Sequence, residues 1–447
     1  MKRLILLSMV ILLGNSCFAL DIVYPKTEKT VINADSTFFI GNTNSASWLR
    51  VNGNNVKLSK SGAFAYVVNL KEGTNTFVIE SGAERKTYII NNPFTNRVSK
   101  ISQQPQQFIK YKYLKNYLIS NDNAPMRETP IDGGINRLSH FQKEIPLIVD
   151  GEKKDFFRVV LNDNSRAWVA KRDVTLVVDD IVNNPAFLDS FEHKESKEFD
   201  TYIFNFDKKT PYVIKEGNPL KLTFYNVKNY PDSTYTFELP LNHRLFGYSG
   251  SFDGESFVLK IRRPPKSIKG LKIAIDAGHG GKEYGAVSCL CDKEKDINLA
   301  ISRLLEEELK KRGAHVIMTR KTDIYVGLRD RVETANKHDA AILISIHGNA
   351  LPDCADPNMH RGTSIYYYYP QARFLADNIL KSMTKYAGTN NDSVRQGSLA
   401  LVRNTNAISI LIEVAYLINP DDSELLNNTE FQKKCAKAIA DGIEKSL

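Results

Sequence analysis

The hydrophobic periodicity of this chain changes near residues 262–266, and this change constrains the fold more than any other feature. Before it, short apolar segments alternate with turn residues. After it, short apolar runs alternate with segments whose apolar residues recur at helical spacing. Strands and helices that alternate within one stretch favour helices covering a mostly parallel sheet. We therefore predict a multi-domain chain, with N-terminal all-β modules followed by a C-terminal α/β domain whose mostly parallel sheet is covered by helices.

The predicted C-terminal domain spans residues 271–447. Its first strand is the apolar run at 271–275, and its first helix has apolar residues at 297, 301, 304, 305 and 309 before Gly313, which is a stop signal. The next predicted elements are strand 315–319, helix 328–337, strand 341–346, strand 364–369, helix 371–386, strand 408–412 and helix 423–446.

The N-terminal part is predicted to contain three β modules. Short strands separated by turn residues at even spacing predict an immunoglobulin-like β-sandwich over residues 20–92. Residues 93–107 are rich in Asn, Gln, Ser and Pro, which is typical of a linker. Residues 108–178 resemble an SH3-like β module, and residues 180–263 are predicted to form another β-sandwich. A short linker over 264–270 joins it to the C-terminal domain.

The first nineteen residues have the pattern of a secretory signal peptide. Lys2 and Arg3 precede an apolar run at 4–13, and Cys17-Phe18-Ala19 supplies small residues at the expected cleavage site. No later segment reaches the roughly 18 apolar residues that a membrane helix needs. We expect an exported protein, in the periplasm or the cell wall and extracellular space, with no transmembrane segment in the mature chain. Lipid modification of Cys17 is an alternative, for which residues 14–16 are a poor match.

The positive charge favours an anionic partner. The formal net charge is +9, and loss of Lys2 and Arg3 with the signal peptide leaves +7. Such an excess is typical of proteins that contact nucleic acid, a membrane surface or an anionic polymer. Because an exported protein does not meet nucleic acid, we expect no nucleic-acid partner.

Three metal-ligand residues are predicted to meet at one edge of the C-terminal sheet. His279 follows the first strand in a glycine-rich turn, His347 ends the strand 341–346, and Glu294 begins the first helix. Open α/β sheets place their sites at the carboxyl ends of strands, so the two histidines can converge there. Two His and one Glu are a ligand set that zinc uses catalytically, leaving a fourth position for water.

Glu413 completes this set, because it follows the strand 408–412 and should project from the same edge. A carboxylate beside a zinc-bound water can take its proton and deliver it to a leaving amine. The residues therefore predict metal-assisted hydrolysis of an amide. Other interpretations remain open, since a lone His is often structural and a Glu in a first helical turn is often a capping partner. The separations between the residues match no short metal motif.

Four segments, in order, resemble the zinc-dependent N-acetylmuramoyl-L-alanine amidases of the cell-wall amidase type (amidase_3). They are DAGHGG at 276–281, EKDINLA at 294–300, SIHGNA at 345–350 and EVAYLIN at 413–419. The stretch between the second and third segments also has the expected TRKTD, LRDR and AN, at 319–323, 328–331 and 335–336. The resemblance covers about residues 270–447.

The resemblance implies a role for each matching residue. His279, Glu294 and His347 would hold one zinc ion per catalytic domain, and Glu413 would be the general base and acid. Asn349 and Arg395 fall where substrate-binding residues are expected. The implied reaction is the hydrolysis of peptidoglycan at the amide between N-acetylmuramic acid and the L-alanine of the stem peptide.

Two rival functions stay open: a zinc peptidase that acts on stem peptides, and a non-catalytic cell-wall-binding protein. Peptidoglycan, which is anionic, suits the positive charge, and the β modules are candidate sites for envelope protein partners. Some relatives carry a long inhibitory helix between the third ligand and the base. Only the helix 371–386 is predicted there, so we expect no helical occlusion.

The cysteines of the C-terminal domain suggest a crosslink near the site. Cys289 and Cys291 lie between two of the predicted ligands, and Cys354 lies shortly after a third. In an oxidising compartment we expect a disulfide from Cys289 or Cys291 to Cys354. Metal binding by these cysteines is the alternative.

Overall fold

The computed structural model of the chain describes residues 20–43, 48–93, 107–177 and 184–447. The predicted signal peptide, with Cys17, lies outside the described residues, and so does most of the predicted linker 93–107. Among the described residues, no helix is both long enough and apolar enough to cross a membrane. The described chain is mostly β, with few helices.

Residues 20–92 form two sheets that share one apolar core. Phe39 in one sheet packs edge-on against Phe77 and Tyr88 in the other, with ring centroids 5.5 and 5.3 Å apart. The sheet orders are β1-β3-β6 and β2-β8-β7-β4-β5. The strands are β1 (Asp21–Tyr24), β2 (Lys29–Val31), β3 (Ser36–Asn42), β4 (Arg50–Val51), β5 (Asn54–Asn55), β6 (Ala63–Asn69), β7 (Gly73–Ser81) and β8 (Glu84–Asn92).

Residues 108–177 form one antiparallel sheet in the order β11-β10-β14-β13-β12-β9-β15. Alternation of buried and solvent-facing residues, as in β12, gives the sheet an apolar face. Its strands are β9 (Ile109–Ile119), β10 (Ala124–Arg127), β11 (Arg137–Phe141), β12 (Pro146–Lys153), β13 (Phe156–Val160), β14 (Arg166–Ala170) and β15 (Val174–Val177).

Residues 184–263 form two further antiparallel sheets, β16-β17-β22-β21 and β18-β19-β20. Their core is continuous with that of the preceding sheet, and Phe141 packs against Tyr212 across the boundary at 5.9 Å. The strands are β16 (Leu188–Glu195), β17 (Phe199–Phe206), β18 (Tyr212–Lys215), β19 (Leu220–Tyr225), β20 (Thr234–Leu239), β21 (Tyr248–Asp253) and β22 (Ser256–Arg262). We refer to residues 20–92, 108–177 and 184–263 as the first, second and third β units.

The C-terminal region has one six-stranded sheet in the order β24-β23-β25-β28-β26-β27. The pairs among β24, β23, β25 and β28 are parallel, β26 is antiparallel to β28, and β27 is parallel to β26. The strands are β23 (Lys272–Ala277), β24 (His315–Met318), β25 (Ile342–Asn349), β26 (Thr363–Tyr367), β27 (Asn391–Gln396) and β28 (Ile408–Tyr416). The helices are α1 (Glu294–Lys311), α2 (Leu328–Lys337), α3 (Arg373–Ser382), α4 (Pro420–Leu426) and α5 (Thr429–Glu444).

The helices cover both faces of this sheet. Leu305 of α1, Ile379 of α3 and Ile439 of α5 share the main core with the sheet, whereas Ala335 of α2 packs with Leu343 in a smaller cluster on the other face. The predominance of apolar residues in the central strands follows from this double coverage, because a strand buried on both faces has no solvent side.

Several element boundaries differ from the sequence predictions, and the following differences are the largest. β25 and β28 continue past 346 and 412, because each keeps its parallel ladder bonds further along the chain. The predicted helix 423–446 is two helices, since Asn428 caps α5 by accepting from the amides of Glu430 and Phe431. The helix α3 is shorter than 371–386 and continues as a π-helical turn over Met383–Ala387. The strand β27 was not predicted.

The first β unit packs on loops at the carboxyl edge of the C-terminal sheet. Asp353, which follows β25, accepts from Tyr24 Oη at 2.9 Å and from Thr37 Oγ1 at 2.6 Å. Asn42 Nδ2 donates to the carbonyl of Cys289 at 3.1 Å, in a buried contact. Apolar residues of both parts form one small core beneath these bonds: Phe38, Ile40, Ala63, Ala65, Cys289 and Ile418.

The third β unit packs on the opposite, amino edge. The amide of Gly247 donates to Gln371 Oε1 at 2.8 Å, and the amide of Tyr248 donates to the carbonyl of Thr405 at 2.8 Å. Arg262 forms an ion pair with Asp339, just before β25. The two edges of the sheet therefore carry different β units.

The close crossing of α3 and α5 gives a stability prediction. A Cβ on Gly442 would lie 2.6 Å from Cα of Ile379, a backbone atom that cannot rotate away. Gly442→Ala should therefore lower the free energy of unfolding by about 1–3 kcal/mol, measured by denaturant titration. Lys437→Ala, at an exposed position of the same helix, is the control. A stabilised Gly442→Ala variant, as helix propensity alone would give, would contradict this packing.

Candidate metal centre

His279 follows β23 in a tight turn whose backbone conformation favours glycine at the neighbouring positions. Its own φ is 61°, in the left-handed region, and it is followed by Gly280 and Gly281 at φ 133° and 56°. A Cβ on Gly278 would lie 2.3 Å from Cε1 of His347. Glycine at 278 therefore lets the second imidazole approach the backbone of the turn.

Two buried arginines hold the carbonyl groups of this turn. Arg331 donates to the carbonyls of Ala277 at 2.8 Å and His279 at 2.9 Å. Arg320 donates to the carbonyls of Ala277 at 2.8 Å and Gly278 at 2.9 Å. Three successive carbonyls thus have guanidinium partners, which fixes the direction in which His279 leaves the turn.

Asp276 neutralises part of this buried charge. Its carboxylate is fully buried and accepts from Arg331 Nη1 at 2.8 Å, Thr319 Oγ1 at 2.6 Å and Ser345 Oγ at 2.6 Å. A buried carboxylate is retained only where hydrogen bonds and an opposite charge compensate its lost hydration. Asp276 therefore links β23, α2 and β25 beneath the site.

Glu294 lies in the first turn of α1 and faces both histidines. Its Oε1 is 3.1 Å from His279 Nε2 and 3.0 Å from His347 Nδ1, and its Oε2 accepts from the amide of Ala286 at 2.9 Å. Burial acts to raise the pKa of Glu294, but the hydrogen bonds from the two histidines hold that pKa below its ordinary value. Asn298, one helical turn on, also donates to Oε1 at 3.3 Å.

The two imidazoles and Glu294 form a compact donor set. The rings of His279 and His347 have centroids 5.0 Å apart at an angle of 78°. One ligand atom from each of the three residues lies within 4.8 Å of the others. Burial alone would lower the pKa of His347, but the hydrogen bond with Glu294 and the charge of Glu413 raise it. Two nitrogens and one carboxylate oxygen fit a metal ion such as zinc that keeps an open fourth position.

Glu413 lies beside this donor set on the neighbouring strand. It pairs with His347 across β25 and β28, and both residues lie within their strands rather than after them. Oε2 of Glu413 is buried, and none of the described residues gives it a hydrogen bond. Burial raises the pKa of Glu413 to about 7, and the charge of Glu294 adds to this shift. The carboxyl group can therefore both take and release a proton near neutral pH.

Asn349 and Arg395 lie at different levels of the sheet, but both are linked to Tyr416. Arg395 pairs with Tyr366, which in turn pairs with Leu411 in the middle of β28. Asn349 ends β25, and its Cα pairs with that of Tyr416. Arg395 in β27 donates to Asp392 at 2.9 Å, and Tyr416 Oη donates to the same carboxylate at 2.7 Å. Both predicted substrate residues are thus joined through Tyr416, without direct contact with the three metal-ligand candidates.

The chain between Asn349 and Glu413 is fully described, and its one α-helix is α3. Leu375 and Ile379 bury this helix in the main core with α5. It is part of the fold, as predicted, and does not cover the donor set.

The predicted disulfide is wrong. Cys289, Cys291, Cys354 and Cys435 form no disulfide among the described residues. Cys289 faces the core shared with the first β unit, and its Sγ donates to the carbonyl of Ile418 at 3.3 Å, whereas Cys354 is exposed. Contacts with the first β unit, rather than a covalent bond, hold these loops.

A second group of potential ligands, His193, Glu195 and Asp200, lies on the third β unit. Its two carboxylates already pair with Arg263. Because these exposed carboxylates already pair with an arginine, we expect them to bind a cation weakly.

Sequence reasoning did not assign roles to Asp276, Arg320, Arg331 and Asn298. Asn298 had a usable signal, because a residue four positions after Glu294 shares its helix face. Most partners of the two arginines are backbone carbonyls, which can belong to any residue type, and Asp276, the acid that pairs with Arg331, lies 55 residues away in the sequence.

Comparison with known proteins gives a consistent picture for the C-terminal region. The family described as N-acetylmuramoyl-L-alanine amidase matches residues 273–445. A probable cell wall amidase LytH of Staphylococcus epidermidis is 35% identical over 180 residues, which cover 40% of this chain and 59% of that relative. The uncharacterized protein YqiI of Bacillus subtilis is 33% identical over 181 residues, covering 40% of this chain and 85% of YqiI.

Among solved structures, the catalytic domain of the amidase CwlV from Bacillus (Paenibacillus) polymyxa is 33% identical. The match covers 40% of this chain and 98% of CwlV, with a TM-score of 0.37. The matched part of this chain spans little more than half of the length of LytH but most of the length of YqiI. On the match to YqiI and the family match to residues 273–445, the chain belongs to the N-acetylmuramoyl-L-alanine amidase family.

Proposed function

We propose that this protein is a peptidoglycan hydrolase, a zinc-dependent amidase that cleaves the amide between N-acetylmuramic acid and the L-alanine of the stem peptide. One observation carries the proposal. The ligand atoms of His279, Glu294 and His347 lie within 4.8 Å of one another, beside a buried carboxylate oxygen of Glu413 that has no hydrogen bond from the described residues. Such an arrangement suits metal-assisted hydrolysis.

The three residues would together hold a single zinc ion. His279 would bind it through Nε2, His347 through Nδ1 and Glu294 through its carboxylate. A bound zinc ion supplies a Lewis acid that polarises a carbonyl and lowers the pKa of water. The amide of Ala286 and the side chain of Asn298 orient the Glu294 carboxylate. Such outer contacts commonly set metal affinity.

Glu413 would move the proton. The cleavage consumes one water, whose oxygen ends on the lactyl carboxyl group and whose proton ends on the amine of L-alanine. Oε2 of Glu413 accepts that proton and then donates it to the departing amine. A pKa of about 7 suits both halves of this exchange, because neither protonation state is strongly favoured.

Asn349 and Arg395 would bind the substrate. The side chain of Arg395 is partly exposed, and its guanidinium can pair with a carboxylate of the stem peptide. Asn349 sits at the end of the strand that carries His347, where its amide can meet a peptide group.

The rest of the chain would bring this activity to the cell wall. Residues 1–19 would be the signal peptide of an exported protein, which agrees with the relatives named cell wall amidases. Residues 20–92, 108–178 and 180–263 would be an immunoglobulin-like, an SH3-like and a further β-sandwich module, joined by linkers 93–107 and 264–270. These modules would contact peptidoglycan or envelope proteins.

Glu413→Gln tests the proposed reaction. The side-chain amide of the variant cannot take a proton, so the release of stem peptides that begin with L-alanine should fall by about 10²- to 10⁴-fold. The release is measured by mass spectrometry of peptidoglycan digests. Bound zinc should be unchanged. Glu307→Gln, at an exposed position of α1, is the matched control and should keep full activity.

Two results would contradict the proposal. Shortened peptides still attached to sugar would identify a stem-peptide peptidase. No released product from the zinc-loaded wild-type protein, together with tight binding to the polymer, would indicate a wall-binding protein.

The arginines beneath the turn give a second prediction. Arg331→Met removes the donors to the carbonyls of Ala277 and His279, so the zinc dissociation constant should rise about 10- to 100-fold, measured by competition with a chromophoric chelator. Thr319→Val removes one hydrogen bond to Asp276 and should have a smaller effect. Arg329→Met, on the exposed face of α2, is the control. Equal zinc affinity in all variants would show that the turn does not depend on these bonds.

A further inference from the structure

A second site with unusual electrostatics lies on the opposite edge of the C-terminal sheet. A cavity of about 670 Å³ opens where the second β unit, the third β unit and the C-terminal region meet. We call it the junction cavity, and its central lining residues are Arg137, His140, Tyr248, Tyr369 and Arg403. It also contacts the loop 404–406 just before β28, so it lies at the amino edge, away from Glu413.

Arg137 and Arg403 face this cavity without an acidic partner. Nη1 of Arg137 donates to His140 Nε2 at 2.9 Å, and Nη1 of Arg403 donates to the carbonyl of Ser398 at 2.8 Å. Among the described residues, no carboxylate forms an ion pair with either guanidinium. The remaining donors of each guanidinium are left to the cavity.

Neighbouring arginines, in contrast to Arg137 and Arg403, form ion pairs with carboxylates. Arg127 and Arg172 both pair with Asp132, and Arg329, at the rim of the cavity, pairs with Glu333. Asp122, the other carboxylate of the lining, accepts from the amide of Lys143. Arg137 and Arg403 are therefore the lining arginines that form no ion pair with a carboxylate of the described residues, whereas Arg329 does.

The charge of Arg403 acts on both Arg137 and His140. Burial lowers the pKa of Arg137, and the charge of Arg403 lowers it further. Burial, followed by the charges of Arg137 and Arg403, lowers the pKa of His140 to about 3, so its ring is neutral and accepts from Arg137. Like charges held together in a partly buried cavity cost free energy unless an anion joins them.

We propose that the junction cavity binds an oxyanion, a carboxylate or phosphate group, between Arg137 and Arg403. The planar fork of guanidinium donors matches both groups in a bidentate manner. The cavity is much larger than one such group, so the oxyanion would be carried by a larger molecule. This binding does not depend on the proposed amidase activity, because none of the lining residues belongs to the metal centre.

Such a ligand would also couple three parts of the chain. Arg137 and His140 belong to the second β unit, Tyr248 to the third, and Arg403 to the C-terminal region. A ligand that binds only the assembled arrangement stabilises it by mass action. We therefore expect the bound anion to raise the unfolding temperature of the full chain.

The test uses the full mature chain and two small probes, inorganic phosphate and succinate, at constant ionic strength set with sodium chloride. Isothermal titration calorimetry should show saturable binding of at least one probe, and thermal unfolding should shift upward with that probe. Tighter binding of phosphate would point to a phosphorylated polymer or lipid headgroup. Tighter binding of succinate would point to a peptide carboxylate.

Arg137→Gln and Arg403→Gln should each weaken this binding at least tenfold, since each removes one charged fork. Arg329→Gln is the matched control, because Arg329 lines the same cavity but is exposed and already paired, and it should change the affinity less than twofold. Without probe, the two test variants should unfold no earlier than wild type, because they relieve like-charge repulsion. An unfolding temperature that does not fall would show that the variants are folded, so that misfolding could not explain the lost binding.

The proposal would be overturned by three results. The first is no saturable binding of either probe to the wild-type chain. The second is binding that Arg137→Gln and Arg403→Gln leave unchanged. The third is a lower unfolding temperature of both variants with no dependence on anion, which would assign these arginines a purely structural role. Failure of the amidase assay alone would leave the binding result untouched.

Discussion

The buried ion pair between Asp276 and Arg331 is the interaction on which the candidate metal centre depends. Asp276 draws Arg331 beneath the first turn of the C-terminal region, and Arg331, with Arg320, then satisfies three successive carbonyls of that turn. The turn directs His279 toward Glu294, and Gly278 leaves room for His347. Loss of either charged partner would leave the other buried without its opposite charge, which is costly. The positions of the candidate metal ligands are therefore set by Asp276, Arg320 and Arg331, which are not themselves candidate ligands.

The parallel strand order provides the rest of the geometry. Because β25 and β28 are adjacent and in register, His347 and Glu413 lie side by side. Burial between these strands keeps the carboxyl group of Glu413 at a pKa of about 7. The first β unit covers the loops around Asp353 and Cys289 at this same edge, and the third β unit meets the opposite edge. The charged junction cavity lies between the second and third units and that amino edge.

The C-terminal strands and helices could largely be predicted from periodicity, because apolar spacing records which faces are buried. The separation of α4 from α5 depended on the side chain of Asn428, and the extension of β28 depended on ladder bonds to β25, so neither left a periodic signal. His279, Glu294, His347 and Glu413 could be chosen as candidates in advance, from their residue types, from their predicted places at strand ends and at a helix start, and from the family resemblance. Arg320 and Arg331 could not, because most of their partners are backbone carbonyls and the acid that pairs with Arg331 lies 55 residues away in the sequence. The cysteine prediction was wrong because contacts with the first β unit, which are invisible in the sequence, already hold the loops.

The most direct test of this account is X-ray absorption spectroscopy at the zinc edge of the full chain after loading with one equivalent of zinc. The account predicts nitrogen and oxygen neighbours only, at about 2.0–2.2 Å, with two imidazoles contributing. Glu294→Gln should alter this environment, because its carboxylate faces both histidines. Sulfur neighbours at about 2.3 Å would place the metal on cysteine and contradict the account. Failure to bind zinc would contradict it equally.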